Sequence, residues 1–416
     1  MNGSVHASCA GCPWTDATGL PDRLRGLRLR FAASALNERV LRLLGPRLPR
    51  LTGGWMPWLS LDRYDPPPLP GSDWVRVRPI LSGVCGTDLG LLTGHASSIL
   101  SPFASFPAVL GHEAVGLVDG SGARVVVDPI ISCTVRGLEP CRWCAAGAAR
   151  FCERAADGEL SPGLLIGYCA DLPGGWSTGM IAHHSQLHAV PDQLSDEAAV
   201  LVEPFSVALH AVLAAPPHPA ERVVVIGAGT LGLCTVAALR LVAPEAEVVA
   251  VARHEDQRRM AERFGATVAS SALSAAVSQA GARAHRAILG RTVLTGGFAQ
   301  VYDAVGSRTS VADALRVAAP RGRVVLVGGP GELGGLDLTL AWTRELRIDG
   351  TYVYGSEARL DATHTMDEAL RLLAANPQLP LGELVTHRFK LDAWRAAMRV
   401  ALSRGRSGAL KVVFEP

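Results

Sequence analysis

A chain of 416 residues is longer than a single hydrophobic core usually serves, so two domains are expected. Its 48% hydrophobic and 19% charged residues are the balance of a globular protein, which excludes the disordered and fibrous classes. Forty basic and thirty-eight acidic side chains leave a charge of +2 without blocks of like sign, and aromatics are only 5%, so the expected partner is a small molecule and not nucleic acid or membrane. The start of the chain carries no secretory signal pattern. The longest uncharged run, 223–239, is short for a membrane span and is broken by Gly227, Gly229 and Gly232. Nine cysteines are an odd number, and four crowd into 133–152 in the manner of metal ligands, so a cytoplasmic compartment is expected.

Residues 1–22 lack periodicity and read as a loose tail whose Cys9 and Cys12 form a lone C-x-x-C, either incidental or a metal or redox pair. From 24 to 30 leucine alternates with arginine, as on a half-exposed strand. A Pro-rich loop at 66–71 leads into Trp-Val-Arg-Val-Arg-Pro at 74–79, a second alternating strand. Short β segments and glycines continue to about residue 190, so this half is mainly β. After Ser195 come Ala- and Leu-rich stretches of helical spacing, then the apolar run 223–226. Further apolar runs at 248–251, 301–302 and 324–327 are separated by helix-like segments such as 255–264 and 310–319. Buried strands alternating with helices predict an α/β unit with a parallel, doubly wound sheet. From about residue 355 the pattern is mixed, ending in the strand-like 410–414.

Gly-Ala-Gly-Thr-Leu-Gly at 227–232 follows an apolar strand and opens a helix, the context that gives G-x-G-x-x-G its meaning. Gly227 suits the tight turn, Gly229 the approach of a pyrophosphate, Gly232 close helix–strand packing, and the amides at Thr230 and Leu231 begin the helix that faces the anion. NAD or NADP is the expected cofactor. Where an acid commonly holds the ribose hydroxyls stands Ala252, followed by Arg253 and Arg258, which either receive a 2′-phosphate, favouring NADP, or form a solvated surface.

Gly-Val-Cys-Gly-Thr-Asp at 83–88 and Gly-His-Glu at 111–113 place Cys85 and His112 beside carboxylates. Thiolate, imidazole and carboxylate suit zinc with an open position, and such an ion polarises an alcohol for hydride loss.

These segments, followed by Val-Glu-Pro-Phe-Ser at 202–206 and the glycine motif, are similar in order and spacing to the zinc-containing medium-chain dehydrogenase/reductase family, over roughly residues 23–416. The resemblance implies a Rossmann domain (205–352) inserted into a mainly β, GroES-like catalytic domain (23–204 and 353–416), with zinc in the cleft between them. It implies Cys85 and His112 as zinc ligands, Glu113 as an acid that coordinates or exchanges, and Glu203 where alcohol dehydrogenases carry cysteine and polyol or glucose dehydrogenases carry glutamate. Asp88 then orients His112, and Thr87 takes the substrate proton. Gly90 stands where many members have a relay histidine. Cys133, Cys141, Cys144 and Cys152, spaced C-x7-C-x2-C-x7-C, resemble the family's structural zinc site with five extra residues in the first gap, the alternative being a three-ligand or empty loop. The expectation is therefore a zinc-dependent, NAD(P)-linked dehydrogenase with two zinc ions per chain, acting on an alcohol, polyol or sugar as a homodimer or homotetramer. A zinc-free NADPH quinone or enoyl reductase and a non-catalytic nucleotide-binding regulator are the alternatives.

Overall fold

The apolar run at 223–226 becomes the centre of a parallel sheet, which the chain builds only after laying down most of a second, largely antiparallel one. The structure, a computed structural model, describes residues 26–32, 56, 58–65, 67–288, 290 and 292–416. Cys9 and Cys12 lie outside them.

The first half contributes strands β1 (Gly26–Phe31), β2 (Leu59–Tyr64), β3 (Trp74–Gly83), β4 (Ala108–Val109), β5 (Ala114–Val118), β6 (Arg124–Val127), β7 (Met180–His183) and β8 (Leu187–Ala189), with helix α1 (Gly86–Leu92) after β3. The alternation at 74–79 has its expected outcome: Val75 and Val77 are buried while Arg78 reaches solvent. Helix α2 (Val202–Ala214) then leads into β9 (Arg222–Ile226), α3 (Thr230–Val242), β10 (Glu247–Val251), α4 (Glu255–Arg263), β11 (Thr267–Ala269) and α5 (Ala272–Gln279). After the hairpin of β12 (Arg283–Arg286) and β13 (Thr292–Thr295) come β14 (Phe298–Asp303), α6 (Arg308–Val317), β15 (Ala318–Leu326) and β16 (Arg347–Gly350).

The parallel sheet runs β11-β10-β9-β14-β15-β16. Its order reverses between β9 and β14, and such a switch point opens a crevice at the carboxyl ends of the strands, where dinucleotides bind. The chain then returns through α7 (Thr365–Ala375), β17 (Val385–Lys390), α8 (Trp394–Leu402) and β18 (Lys411–Glu415). Strands β17 and β18 complete the first sheet in the order β17-β18-β3-β5-β6-β8, with β7 also on β3. The doubly wound unit is thus inserted into the mainly β one.

Helix α2 is buried almost all round, as a helix between two layers must be. One apolar cluster joins it to Leu81, Val115 and Val126 on one side and to α3, Val223 and Val225 on the other. The uncharged run 223–239 is divided between β9 and α3. No helix among the described residues is long and apolar enough to cross a membrane.

Candidate active site and metal clusters

Cysteine 85 closes β3 and caps α1, and its amide donates to Asp88 Oδ2 at 2.9 Å. Asp88, the third residue of that helix, is fully buried. Its other oxygen accepts the Tyr168 hydroxyl at 2.7 Å and lies 3.5 Å from His112 Nδ1. Burial pushes the Asp88 carboxyl up, but the nearby His112 charge and the hydrogen bonds from Tyr168 and the Cys85 amide outweigh it and hold the group below the usual range. One carboxylate therefore sets the start of the helix and the orientation of the imidazole.

The Cys85 sulfur, a His112 ring nitrogen and a Glu113 oxygen lie within 4.8 Å of one another. Soft, borderline and hard donors at that separation fit a borderline divalent ion such as zinc. His112 and Glu113 are buried, while Cys85 is only partly so, which leaves one side of the cluster open. Thr87 is exposed on that side, its Oγ1 3.7 Å from the Cys85 sulfur. Glu113 also forms a buried ion pair with Lys411 of β18. Glu203, in the first turn of α2, stands outside the group of three but feels its charges. Burial raises its carboxyl to about 7, and the negative Glu113 adds to this while His112 and Lys411 oppose it. The Tyr354 hydroxyl lies 3.4 Å from its Oε1.

The sulfurs of Cys133, Cys141, Cys144 and Cys152 also converge within 4.8 Å, and none is in a disulfide. Burial works to raise the Cys141 thiol, but backbone amides of Cys144, Glu153 and Trp143 and the Cys144 side chain bring it down to about 6. Four converging thiols, their sulfurs supported by backbone amides, suit a closed tetrahedral metal. The longer first gap is accommodated by a turn in which the Arg136 and Leu138 amides bond back to the Cys133 carbonyl. The Arg136 guanidinium, buried, donates to the carbonyls of Ala155, Asp157, Leu160, Ser161 and Gly163. The additional residues thus brace the lobe.

At the switch point Gly227 has φ +93°, and a side chain there would collide with Val305. A side chain at Gly232 would strike the Gly227 carbonyl, so helix and strand meet as closely as the motif requires. Around Gly229 the space is open, and no side chain caps α3, so its first amides face the crevice. Leu231 is partly buried on the same turn. The Thr230 hydroxyl is turned away and donates to the Leu410 carbonyl at 2.8 Å. Past β10, Arg253 is exposed, whereas the Arg258 guanidinium is engaged with the Ala252 and Arg253 carbonyls at 3.3 and 3.0 Å.

Tyr168, Lys411 and Tyr354 escaped the sequence reading. Only Lys411 left a signal there: a lone charge inside an otherwise apolar terminal strand needs a buried partner.

A dinucleotide crevice beside a Cys/His/Glu cluster, on a Rossmann sheet inserted into a β domain, is the architecture of a two-domain dehydrogenase. The alcohol dehydrogenase GroES-like domain family matches residues 71–192 and the zinc-binding dehydrogenase family residues 230–375. Starvation-sensing protein RspB of Escherichia coli is 29% identical over 272 residues, 63% of this chain and 71% of that protein. Probable D-xylulose reductase A of Aspergillus terreus is 30% identical over 302 residues, 70% of this chain and 79% of that protein. A Sinorhizobium meliloti protein named as a zinc-binding dehydrogenase and bound to NADP is similar in structure, with a TM-score of 0.69 and 25% identity over 95% of this chain and 100% of that one. The chain belongs to the zinc-containing medium-chain dehydrogenase/reductase family. It is an oxidoreductase that uses a nicotinamide cofactor.

Proposed function

We propose that the protein is a zinc-dependent dehydrogenase that transfers hydride between NAD(P) and the carbinol carbon of an alcohol, polyol or sugar. The observation that carries this reading is the convergence of Cys85, His112 and Glu113 below an open face next to Thr87. Cys85, His112 and Glu113 would hold the catalytic ion, with Glu203 behind them, and Cys133, Cys141, Cys144 and Cys152 a structural one. When bound, zinc supplies Lewis-acid polarisation of the carbinol oxygen, and the nicotinamide supplies the hydride acceptor. The chain's own residues do the rest. Asp88 holds the His112 ring in place through Nδ1, and the amides after Gly229 bind the pyrophosphate. Glu203, a carboxylate at this position, favours polyols or sugars over simple alcohols. A screen of polyols, sugars and simple alcohols with both nicotinamides tests the assignment, and turnover that is insensitive to zinc removal would overturn it.

Thr87 Oγ1 takes the proton that the carbinol must lose and passes it to water. Its exposure makes a histidine at the Gly90 position unnecessary. Replacing Thr87 by valine should lower kcat by about 10²- to 10⁴-fold, the range for general acid–base groups, with the cofactor Kd unchanged. Serine should restore much of the rate. Equal losses for both variants would show that the residue packs and does not transfer a proton.

NADP is favoured over NAD, since Ala252 neither bonds a ribose diol nor repels a phosphate. With Arg258 engaged by backbone carbonyls, attraction rests on Arg253. A charge-assisted hydrogen bond contributes about 1.5–3 kcal/mol, so Arg253→Ala should reduce the NADP/NAD ratio of kcat/KM by about tenfold or more. A wild type that prefers NAD, or a variant of unchanged selectivity, removes the argument.

A further inference from the structure

A further cluster, with two histidines, shares no ligand with either set described above and adjoins the first through Tyr354, whose ring meets that of His364 edge-on at 5.9 Å. Asp128 follows β6, His188 lies on β8 opposite Val126, and His364 caps the start of α7. Three stretches distant in sequence thus bring one carboxylate and two imidazoles together, with donor atoms within 4.8 Å of one another. The geometry points to a third metal-binding site, formed by Asp128, His188 and His364, that takes a borderline divalent ion such as zinc.

The state of His188 carries the argument. Its Nδ1 lies 2.6 Å from Asp367 Oδ1, so in the neutral ring that nitrogen bears the proton and the lone pair is left on Nε2. The residue is only 8% exposed, and this Nε2 has no hydrogen-bond partner among the described residues. A buried acceptor without a donor requires an explanation. A carboxylate that fixes one ring nitrogen while the other faces further donors is the usual support of a metal-bound histidine.

The remaining contacts agree. Asp128 Oδ1 accepts the Ile130 amide at 3.0 Å, which leaves Oδ2 as the donor, 3.5 Å from His364 Nε2. That distance is long for a hydrogen bond, whereas two ligands on one tetrahedral ion, with bonds of about 2.0–2.1 Å, stand roughly 3.3 Å apart. The two imidazoles lie nearly parallel, their centres 4.9 Å apart. His364 Nδ1 accepts the Met366 amide at 3.4 Å, a weak cap that is given up when Nε2 takes a metal and the ring proton moves to Nδ1. Two independent Asp–His pairs would account for Asp367 and Asp128 but not for the unpartnered Nε2. His364 is also the most exposed of the three, with 24% of its side chain accessible, and offers a path in from solvent. An ion here would tie the returning helix α7 to the edge of the catalytic sheet.

The test is a metal count on the full-length protein, stripped with chelator and reloaded with zinc or cobalt(II), by native mass spectrometry and elemental analysis. His188→Ala should carry one equivalent fewer than wild type. Because the site has no sulfur, that loss should leave the thiolate-to-cobalt absorption intact. Asp367→Asn, which keeps all three ligands, should bind the ion about 10- to 100-fold more weakly. Should His188→Ala fail to fold, His364→Gln, on the accessible rim, provides the same comparison. Each count is a difference from wild type, so the result does not depend on the occupancy of the other two sites. Equal counts in wild type and the folded variant, or a lost equivalent accompanied by lost thiolate absorption, would overturn the proposal.

Discussion

Cys85→Ser should reduce turnover by about a thousandfold or more while the thermal midpoint stays where it was. The reduction follows from the role proposed for the sulfur: with His112 and Glu113 it would hold the ion that polarises the carbinol, and such polarisation supplies several kcal/mol in the transition state. The preserved fold follows from the neighbouring hydrogen bond. Helix α1 is capped through the residue-85 amide, which serine retains, so Asp88 keeps its place and with it the Tyr168 hydroxyl and the His112 ring. Steady-state kinetics, zinc content and a melting curve on the same preparation decide the matter. Full activity in the variant would remove Cys85 from the chemistry, and a collapsed fold would make it structural.

Cys141→Ser should act in the opposite way, with a large loss of stability and one zinc equivalent gone. Cys133, Cys141, Cys144 and Cys152 form a small cluster of their own, in contact with little apolar surface beyond Leu138. With so little hydrophobic area to hold the lobe beside the Arg136 hydrogen bonds, the proposed metal would contribute much of its cohesion. Loss of a metal site belongs to the few single changes that cost more than about 4 kcal/mol. Serine cannot replace a thiolate whose ionisation is favoured by three backbone amides. Calorimetry with zinc analysis tests this, and a variant that keeps its metal and melting point would refute the bracing role.

What the sequence disclosed follows how local each signal was. The central strands β9, β10, β14 and β15 are buried on both faces, so their apolar runs were plain in the letters, as was the glycine turn after β9. The edge strands β11 and β16 were not read, because short segments such as Arg-Ile-Asp-Gly at 347–350 carry neither a run nor an alternation. Helices α7 and α8 were missed in a region that looked mixed. In α8 the buried stripe of Trp394, Ala397, Met398 and Ala401 has helical spacing, but arginines and small residues dilute it. At the candidate site, the residues that short motifs name are legible in the sequence, and those joined to them only by the fold are not. Tyr168 meets Asp88 across 80 positions, and Lys411 meets Glu113 across 298. No periodicity records such pairs.

The Thr230 hydroxyl bound to the Leu410 carbonyl fastens the turn at the head of α3 to the strand whose next residue, Lys411, holds Glu113. The turn that receives the dinucleotide and the acid beside Cys85 and His112 are thus two ends of one short mechanical train. Any coupling between a dinucleotide on the turn and an ion on the cluster therefore has a covalent route of two adjacent residues, Leu410 and Lys411. Linkage of this kind is reciprocal: by whatever factor dinucleotide alters the affinity of the cluster for its ion, the ion alters the affinity for dinucleotide by the same factor.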